Sequence, residues 1–362
     1  MSTIREKISC GYLSTFDSLP WIFAWVVVLC LTSALAFADE SVPPVLCVGS
    51  KFVATDTLSC GDESNPDAKE CLANLSWKPA TFTVQLEDAG LGCGDYLVRF
   101  PSPRPIGNAK NDLVSMEWFA AHDSKGAICK AKPIVVVHES ARSMTVGRLI
   151  ARSLGQQGFH AFLIHLPGYG ARKEGGKPSS YNQILPMMKQ GISDARRARD
   201  AVAVLPMVDP SVVGLEGTSL GGFVTATVAG LDHGYDRVFI MLAGGNIDDV
   251  IFHGARDAAK VLDKLHAAGV TDDQIKDLAH QIEPLRVAHR INPATTWLFS
   301  GKYDSVVPPR NSLALVQAAH LASDHHIEFE ADHYLGIIYL PQAIGEIRKQ
   351  MAAPVDAHAS KD

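Results

Sequence analysis

A serine held between two glycines is the feature of this chain that most directly suggests chemistry. Gly217-Thr218-Ser219-Leu220-Gly221 follows the apolar run Val212–Leu215 and precedes Leu220–Leu231, a stretch of helical composition. A serine hydroxyl attacks a carbonyl efficiently only when it projects from a fixed point, beside a base and opposite donors for the developing oxyanion. A very tight strand-to-helix turn supplies that point. Such a turn strains the backbone at Ser219 and leaves no room for a Cβ at Gly217 or Gly221. It also sets the serine at the positive end of the following helix, where the Leu220 N–H is available to an oxyanion. With 29 glycines in the chain, GxSxG is expected by chance at roughly 0.1 occurrences. The strand–turn–helix context therefore carries more weight than the motif.

The elements that must position this turn can be read outward from it. Thr81–Leu86, Tyr96–Phe100 and Leu113–Ala120 predict an early meander of strands. Pro133–Val137, Ala161–His165, Val212–Leu215, Val238–Leu242, Thr296–Ser300 and Ile327–Glu330 are short apolar runs, the type buried on both faces of a sheet. Between and after them, Val146–Gln157, Tyr181–Leu205, Leu220–Leu231, Ser312–His320 and Pro341–Met351 have helical periodicity. Arg196, Arg197 and Arg199 are expected on the polar side of the long second helix. The alternation predicts an α/β fold, a mostly parallel, doubly wound sheet with helices on both faces. Residues 248–290 carry no strand. They predict a helical insertion after the strand at 238–242, part of it opened by the capping-box spacing Thr271–Gln274. It is either a cap over the site or a long surface crossover. Residues 39–77 are polar and turn-rich and are taken as a Cys-containing N-terminal extension to a domain at 78–352, with a flexible tail at 353–362.

With that elbow, the chain from about 78 to 350 resembles the α/β-hydrolase fold, whose serine hydrolases run Ser, acid, His in chain order. Gly301-Lys-Tyr-Asp304 followed by Pro308-Pro309 looks like the family's acid loop, and Asp332-His333 after the last strand looks like its histidine loop. The resemblance implies Ser219 as nucleophile, His333 as base and Asp304 as its orienting acid, with Asp248 or Asp249 as the fallback acid. It implies cleavage of a small-molecule carboxylic ester through an acyl-enzyme, with no cofactor and no metal. The second oxyanion donor is expected at Glu139 or Ser140. Lipases of this fold usually carry His-Gly where this chain reads His138-Glu139. The His-Glu pair resembles the dienelactone-hydrolase branch, in which the glutamate lies beside the nucleophile, so Glu139 either contacts Ser219 or shapes its loop. Leu166-Pro-Gly-Tyr-Gly170 is expected to form the pocket edge. The prolyl-oligopeptidase branch shares the triad and its order. It keeps a peptidase open as an alternative, although no propeller-sized region precedes the catalytic part. A non-catalytic exported binding module is the alternative outside enzymes.

Composition excludes other classes. The chain has 362 residues, 47 % of them hydrophobic, with 33 Lys+Arg against 39 Asp+Glu and a formal charge of −6. There is no basic excess for nucleic acid. Between Asp17 and Asp39 no residue is charged, and Trp21–Ala38 is an apolar run ending in Ala36-Phe37-Ala38. The small–x–small ending predicts an export signal at 1–38, cleaved after Ala38. The run also has the length of a membrane anchor, so membrane contact is expected only if it is retained. The mature protein would be periplasmic, secreted or at the cell surface. Export would expose five cysteines to an oxidising compartment; Cys60 and Cys71 flank an acidic stretch that a disulfide could close. The four acids of that stretch do not have EF-hand spacing, and His325-His326 is read as exposed rather than metal-binding.

Overall fold

The structure is a computed structural model that describes residues 46–173 and 181–354. The expected export signal at 1–38 and most of the expected tail at 353–362 lie outside these residues. Among the described residues, no helix is long and apolar enough to cross a membrane.

One ten-stranded sheet runs through the molecule in the order β1-β2-β3-β4-β6-β5-β7-β8-β9-β10. Strands β1 (Lys51–Thr55), β2 (Thr81–Glu87), β3 (Tyr96–Pro101) and β4 (Leu113–Phe119) form an antiparallel meander, and β4 pairs antiparallel with β6 (His160–Ile164). From β6 through β5 (Pro133–Val137), β7 (Gly214–Thr218), β8 (Arg237–Met241), β9 (Thr296–Gly301) and β10 (His326–Phe329) every pairing is parallel. These central strands are short, continuous apolar runs because both faces are covered. Alternate residues reach opposite cores. Val135, Val137, Leu215 and Ile240 pack with α3 (Tyr181–Ala203) and α4 (Leu220–Leu231). Ile134, Val136, Phe239 and Met241 pack with α2 (Thr145–Gln156) and the last helix, Leu340–Ala352. The α/β, doubly wound reading of the sequence is the architecture found.

Two expectations need correction. The first is the boundary at 77/78. The described residues, from 46 onward, fall in one compact unit. The supposed extension supplies strand β1, paired along its length to β2, and helix α1 (Pro66–Leu75), capped by the Asn65 side chain. Cys71 is buried on that helix and Cys60 precedes it, both as free thiols, so no disulfide closes the stretch. Two of its acids pair with cations: Glu63 with Arg290 at 2.8 Å and Asp67 with Arg286 at 2.7 Å.

The second correction concerns Arg196 and Arg197, which are buried rather than solvated. Arg196 grips Asp232 through two nitrogens, each at 2.7 Å. Arg197 Nε donates to Asp56 at 2.8 Å, and Asp56 also accepts from the Trp77 indole and the Ala80 amide, both at 3.0 Å. Asp56 thus ties the N-terminal segment to α3. Replacing it leaves a buried guanidinium unpaired, which costs about 3–5 kcal/mol. Asp56→Ala is expected to lower the stability read by chemical denaturation by that amount, without changing the turnover of molecules that remain folded.

Between β8 and β9 lie the helices α5 (Ile247–His253), α6 (Asp257–Ala267) and α7 (Asp272–Gln281), the last opened by the expected Thr271–Gln274 capping box. The insertion packs Val250 and Ala258 on Val306 and Val307 of the acid loop. Its Leu265, Val270 and Ile275 meet Ile184 of α3. It therefore flanks the C-terminal edge of the sheet, where the loops of a parallel sheet converge.

Candidate active site

The turn between β7 and α4 carries Ser219 at φ 54° and ψ −114°, a conformation that side-chain-bearing residues avoid. Close approach explains the glycines. A Cβ on Gly221 would lie 2.0 Å from the Val137 carbonyl oxygen, and one on Gly217 would lie 2.2 Å from Thr225 Oγ1. The Ser219 amide donates to Met241 O at 2.9 Å, so pairing with β8 holds the turn to the sheet. Leu220 opens α4, and its N–H has no partner within the helix.

His333 follows β10. Its Nδ1 lies 2.7 Å from Asp304 Oδ2 and its Nε2 lies 3.0 Å from Ser219 Oγ. The other Asp304 oxygen accepts the Val306 and Val307 amides at 2.8 and 2.9 Å. A carboxylate so placed accepts, so Nδ1 carries the proton and Nε2 is left to accept from the serine. The His333 loop is itself fixed, because Asp332 accepts the Tyr334 and Leu335 amides. Ser219, His333 and Asp304 are thus brought together in one hydrogen-bonded chain. Asp249 is not part of it: its carboxylate is held by Arg310 at 2.8 Å and by Asn311 at 3.0 Å.

Glu139 does not reach the serine with its carboxylate. Both its oxygens are spent on the start of α2, accepting the Val146 amide at 3.1 Å and the Gly147 amide at 3.0 Å. The cause is local. Met144, which precedes the helix, has no side-chain acceptor, and the orphan N–H groups of the first turn need one. Of the two roles open from sequence, Glu139 has the loop-shaping one. The Glu139 and Ser140 amides have no acceptor among the described residues. The segment bearing them leans on the elbow, with the Val137 and His138 carbonyls against Gly221.

Four side chains organise this edge: His138 and Tyr169, which the sequence showed only within motifs, and Arg172 and Glu216, which it did not single out. His138 donates from Nδ1 to Glu139 O at 2.6 Å and accepts the Leu166 amide at Nε2, 3.1 Å away. Burial drives its pKa down to about 4, which keeps it neutral in this bridging role. Tyr169, in the loop expected to edge the pocket, lies against the His138 ring and donates to the Ser140 carbonyl at 3.1 Å. Arg172 anchors that loop to Asp194 at 2.7 Å.

Glu216 is the fourth. It is wholly buried on β7, with one oxygen accepting from Thr218 Oγ1 at 2.7 Å and the other without a partner among the described residues. Burial, opposed by the Thr218 hydrogen bond, raises its pKa to about 8 from 4.5. It is therefore protonated at neutral pH. An acid whose pKa is raised on folding stabilises fully below its unfolded value and loses that contribution as pH climbs to the folded one. The window here runs from about 4.5 to about 8. The stability advantage of Glu216→Gln over the parent is expected to grow across that window by up to roughly 5 kcal/mol. Denaturant titrations at several pH values would read it; a difference constant with pH would rule out the buried acid.

Beside the elbow lies a cavity of about 150 Å³, lined among others by Leu166, Pro167, Ile184, Met187, Met188 and Leu220. A second, more open depression of about 430 Å³ lies around Arg104 and Lys189. No group of three or more metal-binding side chains occurs among the described residues. His325 stacks on Trp297, and His326 bonds the Ser300 hydroxyl.

Residues 149–350, more than half of the chain, match the model of the prolyl oligopeptidase family, peptidase S9. No curated protein matches the chain. Among solved structures, an acetyl xylan esterase from Paenibacillus sp. R4 aligns with a TM-score of 0.53 at 18 % identity, over 78 % of this chain and 92 % of that one. Acetyl xylan esterase 1 from Thermoanaerobacterium sp. JW/SL YS485 aligns at 0.51 and 13 % identity, over 83 % and 97 %. The α/β hydrolase GrgF from Penicillium sp. sh18 aligns at 0.50 and 15 % identity, over 70 % and 96 %. At these identities the likeness is one of fold.

Proposed function

The chain belongs to the prolyl oligopeptidase family and is a serine hydrolase, and from that premise we propose that it cleaves carboxylic esters through an acyl-enzyme formed on Ser219. The observation that carries this is the unbroken chain Ser219 Oγ–His333 Nε2 at 3.0 Å and His333 Nδ1–Asp304 Oδ2 at 2.7 Å. His333 takes the hydroxyl proton as Oγ attacks the ester carbonyl. The oxyanion that forms is met by the Leu220 N–H and by an amide of the 139–140 segment. The intermediate collapses as His333 passes its proton to the departing alcohol. Water, activated by the same imidazole, then releases the acid and restores the serine. Asp304 holds the imidazole in the tautomer this requires and stabilises the imidazolium.

A fluorophosphonate probe tests the reading. It should attach to Ser219 in the parent protein and leave Ser219→Ala unlabelled; labelling that persists in the variant would overturn the assignment. The family match favours a second reading, a peptidase. Faster turnover of aminoacyl p-nitroanilides than of p-nitrophenyl esters would support that one instead, and turnover of neither would leave a binding module.

Export is part of the same proposal. It is supported by the uncharged run before Asp39 and the Ala36-Phe37-Ala38 ending. Removal of residues 1–38 takes away Arg5, Lys7, Glu6 and Asp17, so the charge stays at −6. Sequencing of the protein recovered outside the cytoplasm should begin at Asp39; an intact Met1 on membranes would make the run an anchor.

A further inference from the structure

The apolar cavity beside the elbow has no assigned role, and its walls say which part of a substrate it would hold. Leu220 and Val224 come from the first turns of α4, directly after Ser219. Leu166, Pro167 and Tyr169 come from the loop after β6, and Ile184, Met187, Met188 and Gly191 from the start of α3. The lining contains no residue of the His333 loop and none of the Asp304 loop. The alcohol of an ester must leave on the side where His333 can protonate it. A cavity that adjoins the serine through Leu220, and that the His333 loop does not line, is placed for the group that stays on the enzyme.

Resting on the ester reading above, we propose that this cavity is the acyl-chain subsite and that it confines the enzyme to short acyl groups. Its volume of about 150 Å³ sets the limit. An apolar space of about that size holds a molecule of roughly six carbons, such as benzene, and this one is open to solvent on one side, so that a guest can enter. The chemistry of the walls agrees with an apolar guest, since the only polar side-chain group on them is the Tyr169 hydroxyl, which is taken up by the Ser140 carbonyl. The walls are also braced. Arg172, itself wholly buried, holds the loop after β6 through the His165 carbonyl at 3.0 Å and Asp194 at 2.7 Å. The Gly168 amide of the same loop donates to the Asn111 side chain at 2.7 Å. Gly191 of α3 sits so close that a Cβ there would lie 3.1 Å from Leu166. The α3 wall is the adaptable side, because two unbranched methionines form it. Chain length should thus be read chiefly by Met187 and Met188.

The test is a series of p-nitrophenyl esters from acetate to decanoate, run on the full protein with fluorophosphonate labelling of Ser219 recorded for every variant. The parent should peak at butyrate or hexanoate and lose at least ~10-fold in kcat/KM by decanoate, in line with what a few misfitted methylenes cost. Met188→Ala should raise the decanoate-to-butyrate ratio ~10-fold by deepening the cavity, and Ile184→Trp should lower the butyrate-to-acetate ratio by a similar factor by filling it. A profile flat in chain length, or ratios unmoved by both variants while Ser219 still labels, overturns the subsite and leaves the ester reading standing. Absence of any ester turnover from a protein that still labels overturns both.

Discussion

Ser219→Ala is expected to lower kcat for an activated ester by about 10⁶-fold, equivalent to about 8 kcal/mol of barrier. The loss is so large because the residues act as a unit. Without Oγ there is no acyl-enzyme, and His333 has no hydroxyl proton to take. The fold should survive the change. The Ser219 backbone keeps its strained φ of 54° whichever small side chain it bears, since β8 and the glycines on either side impose it. What remains of activity should come from Leu220 N–H and neighbouring amides acting on a water-driven reaction, the residue usually left when a nucleophile is removed. Stopped-flow or extended steady-state assays at matched folded fraction would measure it. A loss below about 100-fold would mean that the chemistry does not pass through Ser219, whatever its contact with His333.

The elbow was legible because it obeys a steric rule, and the two loops that meet it through their likeness to the acid and histidine loops of the α/β-hydrolase fold. Only glycine fits at Gly217 and Gly221, and those positions can be read from spacing alone. The parallel strands were legible for a similar reason: burial on both faces leaves an unbroken apolar run. Residues 51–75 were not. β1 is an edge strand with mostly exposed positions, so its pattern carries little contrast, and α1 is only ten residues long. Arg196 and Arg197 were misplaced because a charged residue on a helix signals solvent unless its partner is known. The partners, Asp232 and Asp56, lie 36 and 141 residues away. Glu139 shows the same limit from the other side. Its residue type suits both a contact with the nucleophile and a helix start; the choice depends on whether Met144 could cap α2, which is a matter of backbone geometry. Glu216 did leave a signal, a lone acid inside an apolar strand run, which is costly to bury unless protonated.

These corrections share a cause that bears on the site. The residues that position the catalytic chain act at a distance in sequence: Asp194 on Arg172, Leu166 on His138, Tyr169 on Ser140. Each fixes a loop end at the C-terminal edge of the sheet. Local pattern shows which loops converge there. It does not show which side chains brace them.

Asp304→Asn isolates the orienting acid from the nucleophile and the base. Asp304 Oδ1 already serves two backbone amides, so an asparagine would keep its single oxygen there and leave the Val306 and Val307 N–H groups satisfied. Its NH₂ would then face His333 Nδ1. A donor at that place forces the imidazole to accept at Nδ1 and to carry its proton on Nε2, pointing at Ser219 Oγ. The base is then blocked in the neutral ring. The expected result is a fall of about 10⁴-fold in kcat at neutral pH, with the fold nearly unchanged. Asp304→Ala would behave differently, because it strands two buried amides at about 1–3 kcal/mol each, and its activity loss would come mixed with unfolding. The pair of variants therefore separates catalysis from stability. Asp249 cannot stand in, since Arg310 and Asn311 already occupy its carboxylate. If Asp304→Asn retained more than about a tenth of the parent kcat, the orienting acid would have to be sought elsewhere.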